Sequence, residues 1–377
     1  MCLERNGKRQ ERIGRIAAIR VDSSTMIGSG HLMRCLTLAE RMRGDGWEVH
    51  FICRDLPGNL FALVEAHGFF LHLLPRHRHD ASLQGYAVWL TVSQEADAVE
   101  TREVLQKLPS VRRLVVDNYA LDRTWERKLR PLTDEIFVID DLANRPHDCD
   151  ILLDQNFYRD MEGRYIGLVP AQCRQLLGPR YALLRKEFYE ARQTLRKRDG
   201  KLRRILIFYG GSDETRETEK AIAALLQVGL SKIEVDVVVG SSNACQEAIQ
   251  KCCEGHECLH YHLQVNHMAD LMAKADLSLG AGGTTTWERC FLGLPAIVTA
   301  IAENQLEICQ GCAEAGLIYY LGRWDEVSKE DIADSIRIFS QPERLRIFQK
   351  NCQLQEALGK IKDFGMKCKS DSRQTND

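Results

Sequence analysis

The chain has 377 residues, 44% hydrophobic and 28% charged. This composition excludes a disordered or fibrous protein and allows two domains that each bury a core. With 51 basic against 53 acidic side chains and a formal net charge of −2, the overall balance gives no support to wholesale electrostatic binding of nucleic acid.

Residues 1–14 are charged and lack an apolar core, and the longest apolar stretch, 294–302, is short and contains Pro295. Neither a signal peptide nor a membrane span is expected. Residues 16–21 read as a buried strand and 22–30 as the loop that leaves it. From His31 onward, Leu32, Leu36, Ala39 and Met42 recur at helical spacing until Gly44 and Gly46 end the helix. Residues 49–53 then begin a second strand, completing a βαβ unit. Further strands are expected at 70–74, 87–91, 114–117, 136–140 and 151–154, with helices over 93–108 and 121–132. Alternation of this kind predicts a parallel sheet covered on both faces.

The pattern loosens over 174–201, where the domain boundary is expected. A second alternating set has strands at 205–209, 235–239, 277–280, 296–299 and 318–321, and 342–359 reads as one long helix. The expected fold class is α/β, with two Rossmann-like doubly wound domains facing a central cleft. The expected organisation is a tail (1–14), an N-terminal domain (15–185), a linker (186–202), a C-terminal domain (203–340), a helix (341–360) and a tail (361–377). Ligands of such sheets bind at the carboxyl ends of the strands.

The 14 cysteines are scattered through these elements, a distribution that fits reduced thiols in a cytoplasmic protein better than a disulfide framework. Cys252, Cys253, Cys258 and His260 lack the paired spacing of a zinc site and read as a surface helix end and loop. No metal site is expected.

The run from Ala281 to Arg289 reads as a glycine turn after a strand, followed by a helix whose first turn carries Thr284, Thr285 and Thr286. Hydroxyls and unpaired amides there suit a phosphate, and Glu288, one turn on, suits a ribose diol, although threonine caps on an ordinary strand-to-helix turn read the same way. Gly28 and Gly30 let the chain turn sharply before His31, where the positive helix end disfavours imidazolium; a neutral imidazole facing the cleft is a competent base, and one that only braces the turn is the alternative. In this stretch Met33 replaces the third glycine of the dinucleotide fingerprint, which weakens a nicotinamide-binding reading. Gly211 and Ser212 follow a strand as the first glycine loop does, and Asn304 and Gln305 follow the strand at 296–299. Asp117, with Asn118 and Tyr119 behind it, Asp140, Asp141 and Asp154 all end strands, and could hold sugar hydroxyls or orient His31. Contact of one of the pair Asp140 and Asp141 with Arg145 is the alternative.

Together, Gly28-x-Gly30-His31-x-Met33-Arg34, Asp140-Asp141 with Arg145, Gly210-Gly211-Ser212-Asp213, and Gly280 to Arg289 with Glu303-Asn304-Gln305 resemble the UDP-2,4-diacetamido-2,4,6-trideoxy-β-L-altropyranose hydrolases of pseudaminic acid biosynthesis. These are relatives of the MurG-like GT-B glycosyltransferases. The resemblance runs from about residue 16 to about residue 321. It implies a GT-B fold, a UDP-sugar as the small-molecule partner, no cofactor, and hydrolysis with inversion at the anomeric carbon. His31 is implied as general base. Gly28, Gly30, Asn118, Tyr119, Gly211, Ser212, Gly283, Thr284, Thr285, Glu288, Asn304 and Gln305 are implied around the substrate and UDP. A monomer in the cytoplasm is expected. A glycosyltransferase on the same fold and a non-catalytic nucleotide-sugar binding protein are the rival readings.

Overall fold

The computed structural model describes residues 15–352 apart from 79, 230 and 231. Helix and strand alternate throughout: β1 (Arg15–Val21), α1 (Gly30–Gly44), β2 (Trp47–Arg54), α2 (Phe61–Ala66), β3 (Phe70–Leu74), α3 (Gln94–Leu105), β4 (Val111–Asp117), α4 (Arg123–Leu129), β5 (Thr133–Ile139), β6 (Ile151–Asp154), β7 (Arg174–Leu177) and α5 (Lys186–Gln193) come first. A second series follows: β8 (Arg204–Phe208), α6 (Glu217–Val228), β9 (Glu234–Val239), α7 (Gln246–Glu254), β10 (Leu259–Leu263), α8 (Met268–Lys274), β11 (Leu277–Ala281), α9 (Thr285–Phe291), β12 (Ala296–Ala300), α10 (Leu306–Glu314), β13 (Tyr319–Arg323), α11 (Lys329–Phe339) and α12 (Pro342–Asn351).

These strands form two parallel sheets, ordered β3-β2-β1-β4-β5-β6-β7 and β10-β9-β8-β11-β12-β13. Successive side chains of a strand point to opposite faces, so each buried strand feeds two cores. In β1, Ala17, Ile19 and Val21 join one apolar cluster while Ile16 and Ala18 join the other. In β8, Ile205 and Ile207 face one cluster and Leu206 the other. Full burial of such a side chain stabilises the fold by about 1.5–3 kcal/mol.

Several predicted elements differ from those observed. Residues 87–91 are not a strand: 85–90 form a 3₁₀ helix, whose apolar run Tyr86-Ala-Val-Trp-Leu90 has the composition but not the pairing of one. Two strands, β7 and β10, were not expected. Arg174–Leu177 has only four residues and no alternation, and Leu259–Leu263, which does alternate, lies in the stretch read as a helix end and loop. Lys186–Gln193, within the expected linker, is helix α5, and its Phe188 and Ala191 are buried with Leu271, Trp287 and Phe291 against the second sheet. Cys252 and Cys253 lie in α7, whereas His260 sits in strand β10. The predicted helix beyond residue 352 and both expected tails lie outside the described residues. No described helix is long and apolar enough to cross a membrane.

Candidate active site

In each sheet one pair of neighbouring strands has connections that leave in opposite directions, opening a crevice at their carboxyl ends. In the first sheet that pair is β1 and β4; in the second it is β8 and β11. The predicted site residues cluster at these two places.

At the first crevice, His31 lies in the first turn of α1, after β1, and Asp117 is the last residue of β4. The imidazole Nδ1 is 2.6 Å from Asp117 Oδ1, and both side chains are buried. Asp117 is held by Arg34, whose Nε and Nη2 donate to its two oxygens at 2.7 Å each. Burial would raise its pKa, but Arg34 and His31 outweigh burial and hold it well below the usual carboxylate range. An ionised carboxylate only accepts, so Nδ1 carries the proton and Nε2 is left as the basic nitrogen. Arg34 Nη2 also lies 3.2 Å from Nδ1 while donating to Asp117.

The second acid of the cluster, Asp141, takes Arg34 Nη1 at 2.6 Å, the Tyr119 hydroxyl at 2.5 Å and Asn156 Nδ2 at 2.6 Å. Its neighbour Asp140 instead accepts Arg145 Nη1 at 2.7 Å and Tyr165, so the two adjacent carboxylates have different work. Burial, and then Asp141, push Tyr119's phenol well above its ordinary pKa, which keeps it a donor. Three rings enclose His31. Tyr119 meets it edge-on with ring centroids 4.6 Å apart and Trp89 with centroids 5.6 Å apart, and Tyr86 closes the group, its ring centroid 4.9 Å from that of Trp89 and 5.1 Å from that of Tyr119. Tyr86 and Trp89 come from the 3₁₀ segment at 85–90, where a strand was expected over 87–91 and Tyr86 was assigned no role, so sequence reasoning missed this wall.

Asp22, one residue beyond β1, accepts Arg54 N, Arg20 Nη1 and Asn118 Nδ2. Asn118 is 3% exposed and its Oδ1 takes Ala120 N. Its side chain therefore fixes the mouth of the crevice and does not line it. Gly28 adopts φ +78°, a conformation that favours glycine, in the loop that delivers His31, and Gly30 begins α1.

At the second crevice, Gly210, at φ +101°, leads into Gly211 and Ser212 after β8. A side chain on Gly211 would sit 3.0 Å from Ser29 Oγ, so the glycine loops of the two sheets touch. Asp213 accepts the amides of Glu217 and Thr218 and so occupies the start of α6. Gly283, Thr284 and Thr285 are part-exposed. Thr286 is not part of that surface: it is buried and accepts Arg289 Nη2 at 3.0 Å, so two of the three threonines remain outward. Gln305 stitches the turn from below, its Oε1 accepting Gly282 N at 3.3 Å and Ile301 N at 3.1 Å.

Glu288 Oε1 accepts Arg185 Nη2 at 3.0 Å and Nε at 3.2 Å, a partner the sequence did not disclose because it lies 103 positions away. Asn304 reaches across, its Nδ2 donating to Tyr119 Oη at 3.4 Å. Trp287 Nε1 donates to Asn156 Oδ1 at 3.3 Å, and Arg164 pairs with Glu307 at 3.3 Å. The crevices thus face each other. Gly28, Gly30, His31, Tyr119, Gly211, Ser212, Asn304 and the 280–285 turn are brought together, while Asn118 and Gln305 brace them. Among the described residues, no three His, Cys, Asp or Glu side chains gather as a metal site.

Two facing doubly wound domains with their crevices opposed define a GT-B protein. The comparisons agree: Acinetobacter baumannii MurG superposes with a TM-score of 0.60 over 90% of this chain and 94% of that one at 14% identity. Phytolacca americana UGT2, solved with UDP-2-fluoro-glucose and pterostilbene, does so with 0.63 over 90% and 93% at 11%. No protein-family model matches the chain.

In sequence the chain is similar to the UDP-2,4-diacetamido-2,4,6-trideoxy-β-L-altropyranose hydrolase of Campylobacter jejuni, 28% identical over 79% of this chain and 96% of that protein. It is also similar to the spore coat polysaccharide biosynthesis protein SpsG of Bacillus subtilis, at 31% over 54% of this chain and 60% of SpsG. An uncharacterized Methanocaldococcus jannaschii protein, MJ1062, is 21% identical over 77% of this chain, which spans 56% of that protein's length. The chain has the GT-B fold and is similar in sequence to a UDP-sugar hydrolase and to a polysaccharide biosynthesis protein.

Proposed function

We propose that the chain is a metal-independent UDP-sugar hydrolase of the cytoplasm, acting on UDP-2,4-diacetamido-2,4,6-trideoxy-β-L-altropyranose. The observation that carries this reading is the buried His31–Asp117 pair at one crevice, opposite the glycine turns at the other. His31 Nε2 takes a proton from water as its oxygen bonds to the anomeric carbon; the bond from that carbon to the diphosphate breaks, UDP leaves, and the sugar is released with inverted configuration. Amides and hydroxyls around Gly211, Ser212, Gly283, Thr284 and Thr285 receive the charge that grows on the leaving diphosphate. Glu288 holds the ribose. Tyr119 and Asn304 flank the sugar, with Asp141 behind the phenol. The likeness to the Campylobacter hydrolase over 96% of its length supports the substrate class.

Hydrolysis in ¹⁸O-water followed by mass analysis tests the reaction: label in the sugar is expected, and label in the nucleotide overturns attack at carbon. The solved neighbours include glycosyltransferases, which favours transfer to an acceptor as the second reading. Product formation with no acceptor present separates the two.

A further inference from the structure

Arg20, Arg34, Arg54 and Arg113 are buried, and each pairs with a carboxylate. Arg289 is the exception among the described buried arginines. It is 1% exposed, its Nη2 donates to the Ala281 carbonyl at 2.6 Å and to Thr286 Oγ1 at 3.0 Å, and its Nε and Nη1 meet no acceptor. Burial pulls its pKa below the ordinary guanidinium value, because the nearby thiols, the Tyr209 phenol and Glu288, whose carboxylate is bound by Arg185 and not by Arg289, offset it only in part. A buried charge without a counter-charge is costly to retain in a folded protein. Its position is specific. A side chain on Gly280 would lie 2.5 Å from Arg289 Nη1 and 2.5 Å from the Phe208 carbonyl, so the guanidinium lies against the ends of β8 and β11, under the floor of the second crevice.

We propose that Arg289 is the resident counter-charge for a nucleoside diphosphate bound at that crevice. It acts through the 280–283 turn and not by contact, so that the arriving anion supplies at longer range the compensating charge the fold leaves out. The inference rests on the UDP-binding reading. It makes Arg289 a positioning and electrostatic residue: it shapes the turn through the Ala281 carbonyl and adds a charge that surrounding water screens poorly.

Calorimetric binding of UDP and of uridine to wild type, R289Q and R289K separates charge from shape. Gln keeps a donor without the charge, and Lys keeps the charge. The expected result is that R289Q loses about tenfold or more in UDP affinity with uridine changed less than about twofold, while R289K stays within about threefold of wild type for both. Equal losses for UDP and uridine in R289Q, or full UDP affinity in R289Q, overturn the proposal. A wild-type protein that binds no UDP overturns the nucleotide reading instead. Should R289Q not fold, wild type decides: UDP affinity is expected to fall less than about threefold between 50 and 500 mM salt, because a buried charge is poorly screened. A fall above about tenfold assigns the attraction to exposed cations and overturns the role of Arg289.

Discussion

His31 Nδ1 and Asp117 Oδ1 meet at 2.6 Å although they lie 86 positions apart. Asp117 ends β4 and His31 opens the helix that follows β1, the two strands whose connections diverge, so the topology of the first sheet creates the pair. A histidine oriented in this way offers its other nitrogen for proton transfer. Replacing His31 with Asn is expected to slow turnover by at least about a hundredfold, with UDP affinity nearly unchanged. Steady-state kinetics beside UDP titration checks this; full activity in H31N removes the imidazole from the mechanism.

Asp117→Asn separates orientation from binding. The amide can donate to Nδ1, which favours the tautomer with its proton on Nε2, so kcat should fall by at least about a hundredfold while UDP binding in the other domain persists. Arg34 also loses one of its two carboxylate partners, and breaking such a buried pair costs about 3–5 kcal/mol. A lowered melting temperature is therefore expected as well. A D117N protein that keeps wild-type kcat refutes the orienting role.

The fold class could be read from the sequence because buried parallel strands and amphipathic helices alternate with clear periods. The glycine turns were legible for the same reason: each follows an apolar strand. Asp117 could be named only as one of four strand-end carboxylates, since which of them meets His31 depends on strand order, and a β1–β4 neighbourhood is a long-range fact. Trp89 and Tyr86 were hidden because an apolar run is ambiguous between a strand and a buried 3₁₀ turn. Arg185 beside Glu288 gave no local signal.

Stability should depend on pH through two carboxylates of opposite sign. Asp117 is depressed, so the stability it contributes is full above the ordinary carboxylate value and is lost as pH falls through its lower folded value. Asp154 is pushed up to about 8 by burial and then by the nearby Asp141. Its folded form holds a proton that the unfolded chain has released above the ordinary value of 3.8, so it withdraws stability as pH rises from there towards 8, by at most about 1.4 kcal/mol per pH unit. Urea titrations across this range should show the decline in wild type and a flatter profile in D154N. Equal slopes in the two proteins would remove Asp154 as its source.

Turnover should also survive chelation, because the proposed charge on the leaving group falls on amides, hydroxyls and a buried guanidinium. Rates measured with and without EDTA are expected to agree. Loss of activity restored by magnesium counts against neutralisation by the protein alone.

Glu288 gives the sharpest test of the nucleotide grip. Arg185 takes only Oε1, which orients the carboxylate and leaves Oε2 for a ribose diol. Hydrogen bonds to a charged acceptor contribute about 1.5–3 kcal/mol, or roughly tenfold to a hundredfold in affinity. Wild type should therefore prefer UDP to 2′,3′-dideoxyuridine diphosphate by about tenfold or more, and E288Q should retain little of that preference while binding the dideoxy nucleotide as wild type does. A loss shared equally by both nucleotides would mean that freeing Arg185 deforms the turn, and a preference undiminished in E288Q would place the ribose elsewhere.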